Sequence, residues 1–340
     1  MPAITPQFLF DFESNMRIIT ENEYARLTSN LWYSECARKI TSQNKREMVT
    51  WLLNTATIRD MGQGGNISFD DLVSKYTEFT AKFAGVGLKL NRSQFEDLDG
   101  NGIQLATEWS SQVGQQAAYW PQKLIANLLK NGHSADQIAY DGQIFFSASH
   151  PVNPFSTAAG TFSNLFTSVP VDTSVTADVA LTNLSTVYAN IASIKMPNGV
   201  DPRMLRAKKI ICSPKLFPRM VQLTNAKTIA QAAATGGGGA DVEALIKSLG
   251  FAQPIQADEL AGFESDTSYF VVAEQVASSQ LGAFVYVDRE PFKVNYYTGQ
   301  GGGTGVDAVL DRANELEWHM SGRNTAGYGH PFLIFKCKAS

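Results

Sequence analysis

Charge is scarce in this sequence. Acidic and basic residues make up 18% of its 340 positions, below the roughly 25% of an ordinary soluble domain, so the surface is polar, lightly charged and suited to association. The net charge is -4, and no run of lysine and arginine occurs of the kind that neutralises phosphates along a nucleic-acid backbone, which argues against a dedicated DNA-binding role. Cysteine is rarer still. Cys36, Cys212 and Cys337 share no short spacing and cannot all pair within one chain, which argues against a disulfide framework or a zinc site and fits a reducing compartment. No window approaches the roughly 18 apolar residues of a membrane span, and MPAITPQFLFDF has no basic stretch ahead of an apolar one. The expectation is a chain made in the cytoplasm, with no membrane partner.

Signatures of catalysis are missing too. There is no Gly-x-Ser-x-Gly elbow and no Gly-x-Gly-x-x-Gly following a strand, and the runs Gly236–Gly239 and Gly301–Gly303 lack the Lys-Ser/Thr pair of a phosphate loop. These glycines read as flexible loops. Of the four histidines, His133, His150, His319 and His330, two precede proline and none forms a helical ligand pair, so no metal site is expected. The carboxylate groups Asp70-Asp71, Glu96-Asp97-x-Asp99 and Asp258-Glu259 read as solvated faces or caps. Asp97 to Gly102 lacks the distal glutamate of a calcium loop. Asp141 and His150 remain as the residues a hydrolase or isomerase would have to use. No catalytic, cofactor-binding or metal residue is assigned, and no cofactor.

What is present is organised by periodicity. Met1 to Thr57 mixes polar and aromatic residues and reads as an arm with short helices, too poor in apolar residues to make a core. Ile58 to Leu90 reads in part as a two-stranded excursion with one aromatic face, since Tyr76, Phe79 and Phe83 recur at short intervals. The helical pattern is strongest over Ile103 to Leu129. Leu105, Trp109, Val113 and Ala117 form one stripe, Leu124, Ile125, Leu128 and Leu129 continue beyond Pro121, and Asn131-Gly132 stops it. Pro121 implies one kinked helix or two in succession. His150 to Val175, rich in Ser, Thr, Gly and Pro, reads as a loop of limited order. Then follow a helix over Leu181–Ile194, a strand over Ala207–Cys212, a helix over Lys215–Leu223 opened by Pro214, and strands at Ser268–Ala273, Ala283–Val287 and Lys293–Tyr297. Together they make an α+β region. Phe332 to Phe335 alternates as a terminal strand tied into a sheet.

Three stretches carry a resemblance. They are Val86-Gly87-Leu88 through Arg92-Ser93-Gln94-Phe95-Glu96-Asp97; Pro121-Gln122-Lys123-Leu124-Ile125 with Leu128 to Gly132, then Tyr140 to Phe146 and His150-Pro151-Val152; and Gly322 to Gly329. In order and position they resemble the major head subunit of Mu-like tailed bacteriophages, a branch of the HK97-type capsid family. The resemblance implies an α+β capsid fold divided into an N-terminal arm (1–57), an extended loop (58–90), a peripheral domain (91–175) with a spine helix over 103–131, an axial domain (176–305) and a return to the peripheral domain (306–340). It implies a major capsid protein that self-assembles into pentamers and hexamers around double-stranded DNA, without sequence-specific binding. The implied partners are a separate scaffolding protein, a portal and a decoration protein. The place implied is the virion, with assembly in the host bacterial cytoplasm. The same fold also serves encapsulin-like compartments, the alternative reading. Within the family picture the arm and the loop reach neighbouring subunits, with Phe79 and Phe83 buried on an adjacent copy, the glycine run at 236–239 near the axial tips, and Lys75 and Lys82 as solvated lysines.

Overall fold

The computed structural model describes residues 6–28, 31–52, 74–91, 101–225, 252–275, 281–296 and 315–339. In chain order these form α1 (Pro6–Thr28), β1 (Ala37–Thr41), β2 (Arg46–Leu52), β3 (Ser74–Thr80), β4 (Lys82–Asn91), α2 (Asn101–Asn131), β5 (His150–Asn153), β6 (Ser156–Phe162), β7 (Leu165–Phe166), α3 (Ala177–Ala192), β8 (Leu205–Cys212), α4 (Phe217–Asn225), β9 (Gln253–Gln256), β10 (Tyr269–Gln275), β11 (Phe284–Tyr296), β12 (Glu315–Tyr328) and β13 (Ile334–Cys337). Helices and strands are mixed along the chain, as in an α+β protein.

Two sheets organise the molecule. The first has the order β1-β11-β12-β4, with β1 parallel to β11 and the remaining pairs antiparallel. The second has the order β7-β13-β10-β8-β9. In its middle strand Tyr269, Phe270, Val271 and Val272 are all buried, a continuous apolar run rather than an alternating one, which marks a strand covered on both faces. Leu181, Leu184, Tyr188 and Ile191 of α3 pack into the same core, at the spacing of one helix face. The Thr176 hydroxyl caps that helix by accepting from the Val179 N–H at 3.4 Å.

Several expectations change here. The strands foreseen at 283–287 and 293–297 are one strand, β11, whose register slips at Asp288–Glu290 and again by Lys293. Pro291, which has no N–H to donate, lies within that slip. The passage from His150 onward is a hairpin, β5 with β6, and not a loop of limited order. Gly322 to Tyr328, part of the stretch that carries the resemblance, continues the strand β12. The last strand, β13, joins the sheet of β10 and β8, whereas β11 from the 176–305 segment joins β1, β12 and β4. The exchange of strands between the two sheets follows from pairing between residues far apart in sequence, which periodicity does not encode.

The N-terminal segment is also more than an arm. Trp32, Tyr33 and Cys36 belong to the main core, and α1 lies along α2. The helix α2 runs unbroken through Pro121. Its seam with α1 is made of small residues, Ala106, Ser110 and Gly114 at four-residue spacing, which let the two backbones approach closely. Thr20 Oγ1 sits 2.9 Å from the Met16 carbonyl and 3.2 Å from that of Ser110. Val113 and Ala117 instead face Met320 of β12, and Leu105, at the head of the anticipated stripe, is exposed. A Cβ on Gly114 would stand 2.5 Å from the Thr20 carbonyl oxygen. Gly114→Leu is therefore expected to cost about 1–3 kcal/mol and to unseat α1, read as a lowered unfolding midpoint with faster hydrogen exchange confined to α1. Unchanged exchange in α1 would sink this account of the seam.

Candidate assembly surface

Sheet β1-β11-β12-β4 is covered on both faces. On one face lie α1 and α2, and edge-on contact between Phe12 and Trp318 at 5.8 Å helps to fasten α1 there. On the other lies hairpin β2–β3, whose Val49, Trp51 and Phe79 pack on Val285 and Val287. Strand alternation explains this: residues two apart share a face. Gly327 lets the hairpin sit close, since a Cβ there would be 2.3 Å from the Phe79 ring. Phe79 is thus buried within its own chain, a correction to the expectation that a neighbour covers it. The hairpin pairs β3 with β2, so one strand comes from the segment first read as arm. The connection between them, like Asp70-Asp71, Glu96 to Asp99 and both glycine runs, lies outside the described residues.

Phe83 behaves differently. It is 68% exposed and lines a groove of about 870 Å³ between α2 and the β4–β12 edge of the sheet, walled by Val86, Trp109, Trp120 and Leu124. Lys82 and Lys123 border it, and no carboxylate lines it. Among the described residues β4 pairs only with β12, so a ten-residue strand presents one unpaired edge beside an apolar groove. Such an edge is a ready template for another chain. The hairpin's outward face adds Met48 and Tyr76, 60% and 66% exposed. Large exposed apolar side chains near one another mark association surfaces.

The titratable groups are spent on structure. His150 and Asp141 do come together, with Nδ1 2.6 Å from Oδ2, but both side chains are closed off from solvent, at 0% and 2% exposure. The other ring nitrogen faces the Phe145 carbonyl at 3.1 Å, and the ring stacks on Phe162 at 5.3 Å. A substrate has no route to this pair. Glu259 accepts from Gln122 Nε2 at 2.6 Å and from Trp32 Nε1 at 3.3 Å, tying the β9–β10 connection to α2 beside Pro121. Burial and the nearby Glu259 push the Tyr119 phenol up to about 12. Asp258 is exposed and accepts from Gln256. Lys336, buried in β13, pairs with Glu264, which also accepts from the Ser268 hydroxyl. Burial opposes ionisation of Glu264, yet the contacts with Lys336 and Ser268 hold its carboxyl below the usual value. Glu264, Ser265 and Asp266 all have positive φ, a left-handed turn held in place by that pair.

The remaining groups follow suit. Cys36, Cys212 and Cys337 are free and buried, and burial pushes the Cys212 thiol up to about 12. His133 Nδ1 lies 3.2 Å from the Phe146 carbonyl. Lys75 sits over the Phe155 ring at 5.3 Å. Among the described residues no three His, Cys, Asp or Glu side chains gather as metal ligands, and no helix is long and apolar enough to cross a membrane.

A long helix laid across one sheet, a hairpin over its far face and a second sheet exchanging strands with the first make up the HK97-type capsid fold, and solved phage shells share it. A subunit of the bacteriophage JBD30 procapsid superposes with a TM-score of 0.51 at 16% identity, covering 99% of this chain and 77% of that one. A subunit of the mature capsid of bacteriophage PhiM1 superposes with a TM-score of 0.53 at 13% identity, covering 91% and 87%. The sequence narrows the likeness. Residues 14–175, just under half of the chain, match the family profile of the Mu-like prophage major head subunit gpT. The major capsid protein of Escherichia phage Mu is 31% identical over 123 residues, 36% of this chain and 38% of that protein, so the alignment spans well under half of the relative's length. The chain is similar to Mu-like major head subunits over residues 14–175, and its described residues have the capsid fold.

Proposed function

We propose that this chain is the major capsid protein of a Mu-like tailed bacteriophage, a shell subunit that associates with copies of itself into pentamers and hexamers around double-stranded DNA. The observation that carries the reading is the match to the Mu-like head subunit over residues 14–175 within a chain of capsid fold. In this reading α2 with the four-stranded sheet is the peripheral domain and the five-stranded sheet with α3 the axial one. The groove beside β4 and the outward face of hairpin β2–β3 are contact surfaces between copies. The subunit has no catalytic, cofactor or metal site of its own. It works with a separate scaffolding protein, a portal and a decoration protein, is assembled in the host cytoplasm and resides in the virion. The head-subunit match favours this over an encapsulin-like compartment.

The test is negative-stain electron microscopy with sedimentation of the chain, expressed alone and with a scaffolding protein. Closed or tubular particles, or pentamers and hexamers that co-assemble, are the expected outcome. A monomer or small dimer under both conditions overturns the proposal. Particles filled with host enzymes rather than DNA in infected cells would overturn it in favour of the compartment reading.

A further inference from the structure

Hairpin β2–β3 meets the rest of the chain through few side chains, and the ring at the centre of that contact is a histidine without a hydrogen bond. His330 is 5% exposed. Trp51 of β2 meets it edge-on, 4.4 Å between ring centroids, with Phe332 at 4.7 Å and Tyr140 at 5.7 Å. Neither ring nitrogen has a partner among the described residues. An imidazole survives in such a cage only uncharged, because the imidazolium brings two N–H donors and a positive charge that nothing there accepts.

The groups facing the ring make protonation worse. Arg203 stacks over Phe332 at 3.8 Å, and its charge and that of Arg38 on β1 both oppose a proton on His330. Tyr140 is a neutral phenol whose ionisation burial disfavours. Asp141, next along the chain, is taken by His150. From the hairpin, Trp51 brings no charge, and Lys75, opposite it on β3, adds another cation, held over Phe155. Among the described residues no carboxylate offsets these.

We infer that His330 is an acid-operated latch, whose protonation releases hairpin β2–β3 from the body while the two sheets stay folded. Burial and the two arginines lower the ring's pKa to about 3 from its ordinary value near 6.5. The released ring binds a proton more readily than the caged one, so the docked state is fully favoured above pH 6.5 and loses ground as pH falls towards 3. Arg203 and Arg38 stay with the body, so by linkage the opening constant rises by up to roughly 30-fold at pH 5 and up to roughly 300-fold at pH 4, relative to pH 8, the limits for a released ring at its ordinary pKa. The hairpin opens first because Val49, Trp51 and Phe79 are its main anchors, whereas β10 is paired on both sides. The latch belongs to the single chain and does not depend on the shell reading.

Hydrogen exchange by mass spectrometry at pH 8, 5 and 4, expressed as protection factors corrected for intrinsic rates, tests it. Wild-type peptides covering β2 and β3 are expected to lose protection by those factors while β10 peptides keep theirs. In His330→Gln and His330→Phe the hairpin's protection should be independent of pH, whatever its level, so a variant that docks poorly still reports. Three outcomes overturn the inference: equal pH dependence in wild type and both variants, a wild-type hairpin indifferent to acid, or β10 and hairpin losing protection together.

Discussion

Replacing Asp141 with alanine is expected to destabilise the chain by about 1–3 kcal/mol, the penalty for leaving a buried polar group without its partner. His150 loses the carboxylate 2.6 Å from its Nδ1, and with both side chains out of solvent no water can replace it without opening the structure. The pair also sits in a wider network. Asn164 Nδ2 donates to the carbonyls of Phe145 at 2.7 Å and Pro331 at 3.0 Å, and its Oδ1 accepts from the Ser147 N–H at 2.8 Å. These bonds hold the stretch after α2 in place under hairpin β5–β6. Asp141→Leu combined with His150→Phe is expected to recover most of the loss, since an apolar pair of similar shape leaves no orphan polar group. The comparison is read from the guanidinium midpoint at unchanged slope. If the double variant is as unstable as Asp141→Ala, the pair contributes by packing alone and the account fails.

Trp51→Ala is expected to remove about 3–5 kcal/mol from the docking of hairpin β2–β3, the usual effect of truncating a large buried aromatic side chain. Trp51 is the hub of that contact: it touches His330 and Tyr140 and donates from Nε1 to Thr77 Oγ1 at 3.0 Å. The loss falls on one unit, because the β2–β3 ladder is internal to the hairpin, while β11 and β12 remain paired to each other beneath it. At neutral pH, exchange should therefore accelerate in β2 and β3 by two orders of magnitude or more and stay unchanged in β8, β10 and β13. Acceleration spread evenly over all strands would mean that the hairpin is not a separable unit.

Much of the architecture was legible beforehand, for physical reasons. The helix through residues 101–131 announces itself by periodicity and by the Asn131-Gly132 stop, and the strand at 207–212 by its β-branched run. Pro214 does open a helical turn, with the Ser213 carbonyl accepting from the Leu216 and Phe217 N–H groups, but α4 proper begins at Phe217 rather than Lys215, because Pro218 has no N–H to continue that ladder. The α1–α2 seam was missed because Ala106, Ser110 and Gly114 carry no apolar bulk to attract notice, although three small residues at four-residue spacing are themselves a signal of close helix approach. Phe79 and Phe83 look alike on paper. One is buried by its own sheet and the other is exposed, since Ala81 separates two strands, β3 and β4, that belong to different sheets.

By itself, then, the sequence determined the elements, because helices and strands are set by interactions a few residues apart, and it carried enough of the Mu-like head pattern to name the fold. Tertiary structure alone decided how the strands sort into two sheets, that His150 meets Asp141 in a closed interior, and that His330 ends caged beneath Trp51. Those outcomes depend on which distant segments share a core, and a lone histidine before a proline reads the same whether its ring faces water or a tryptophan.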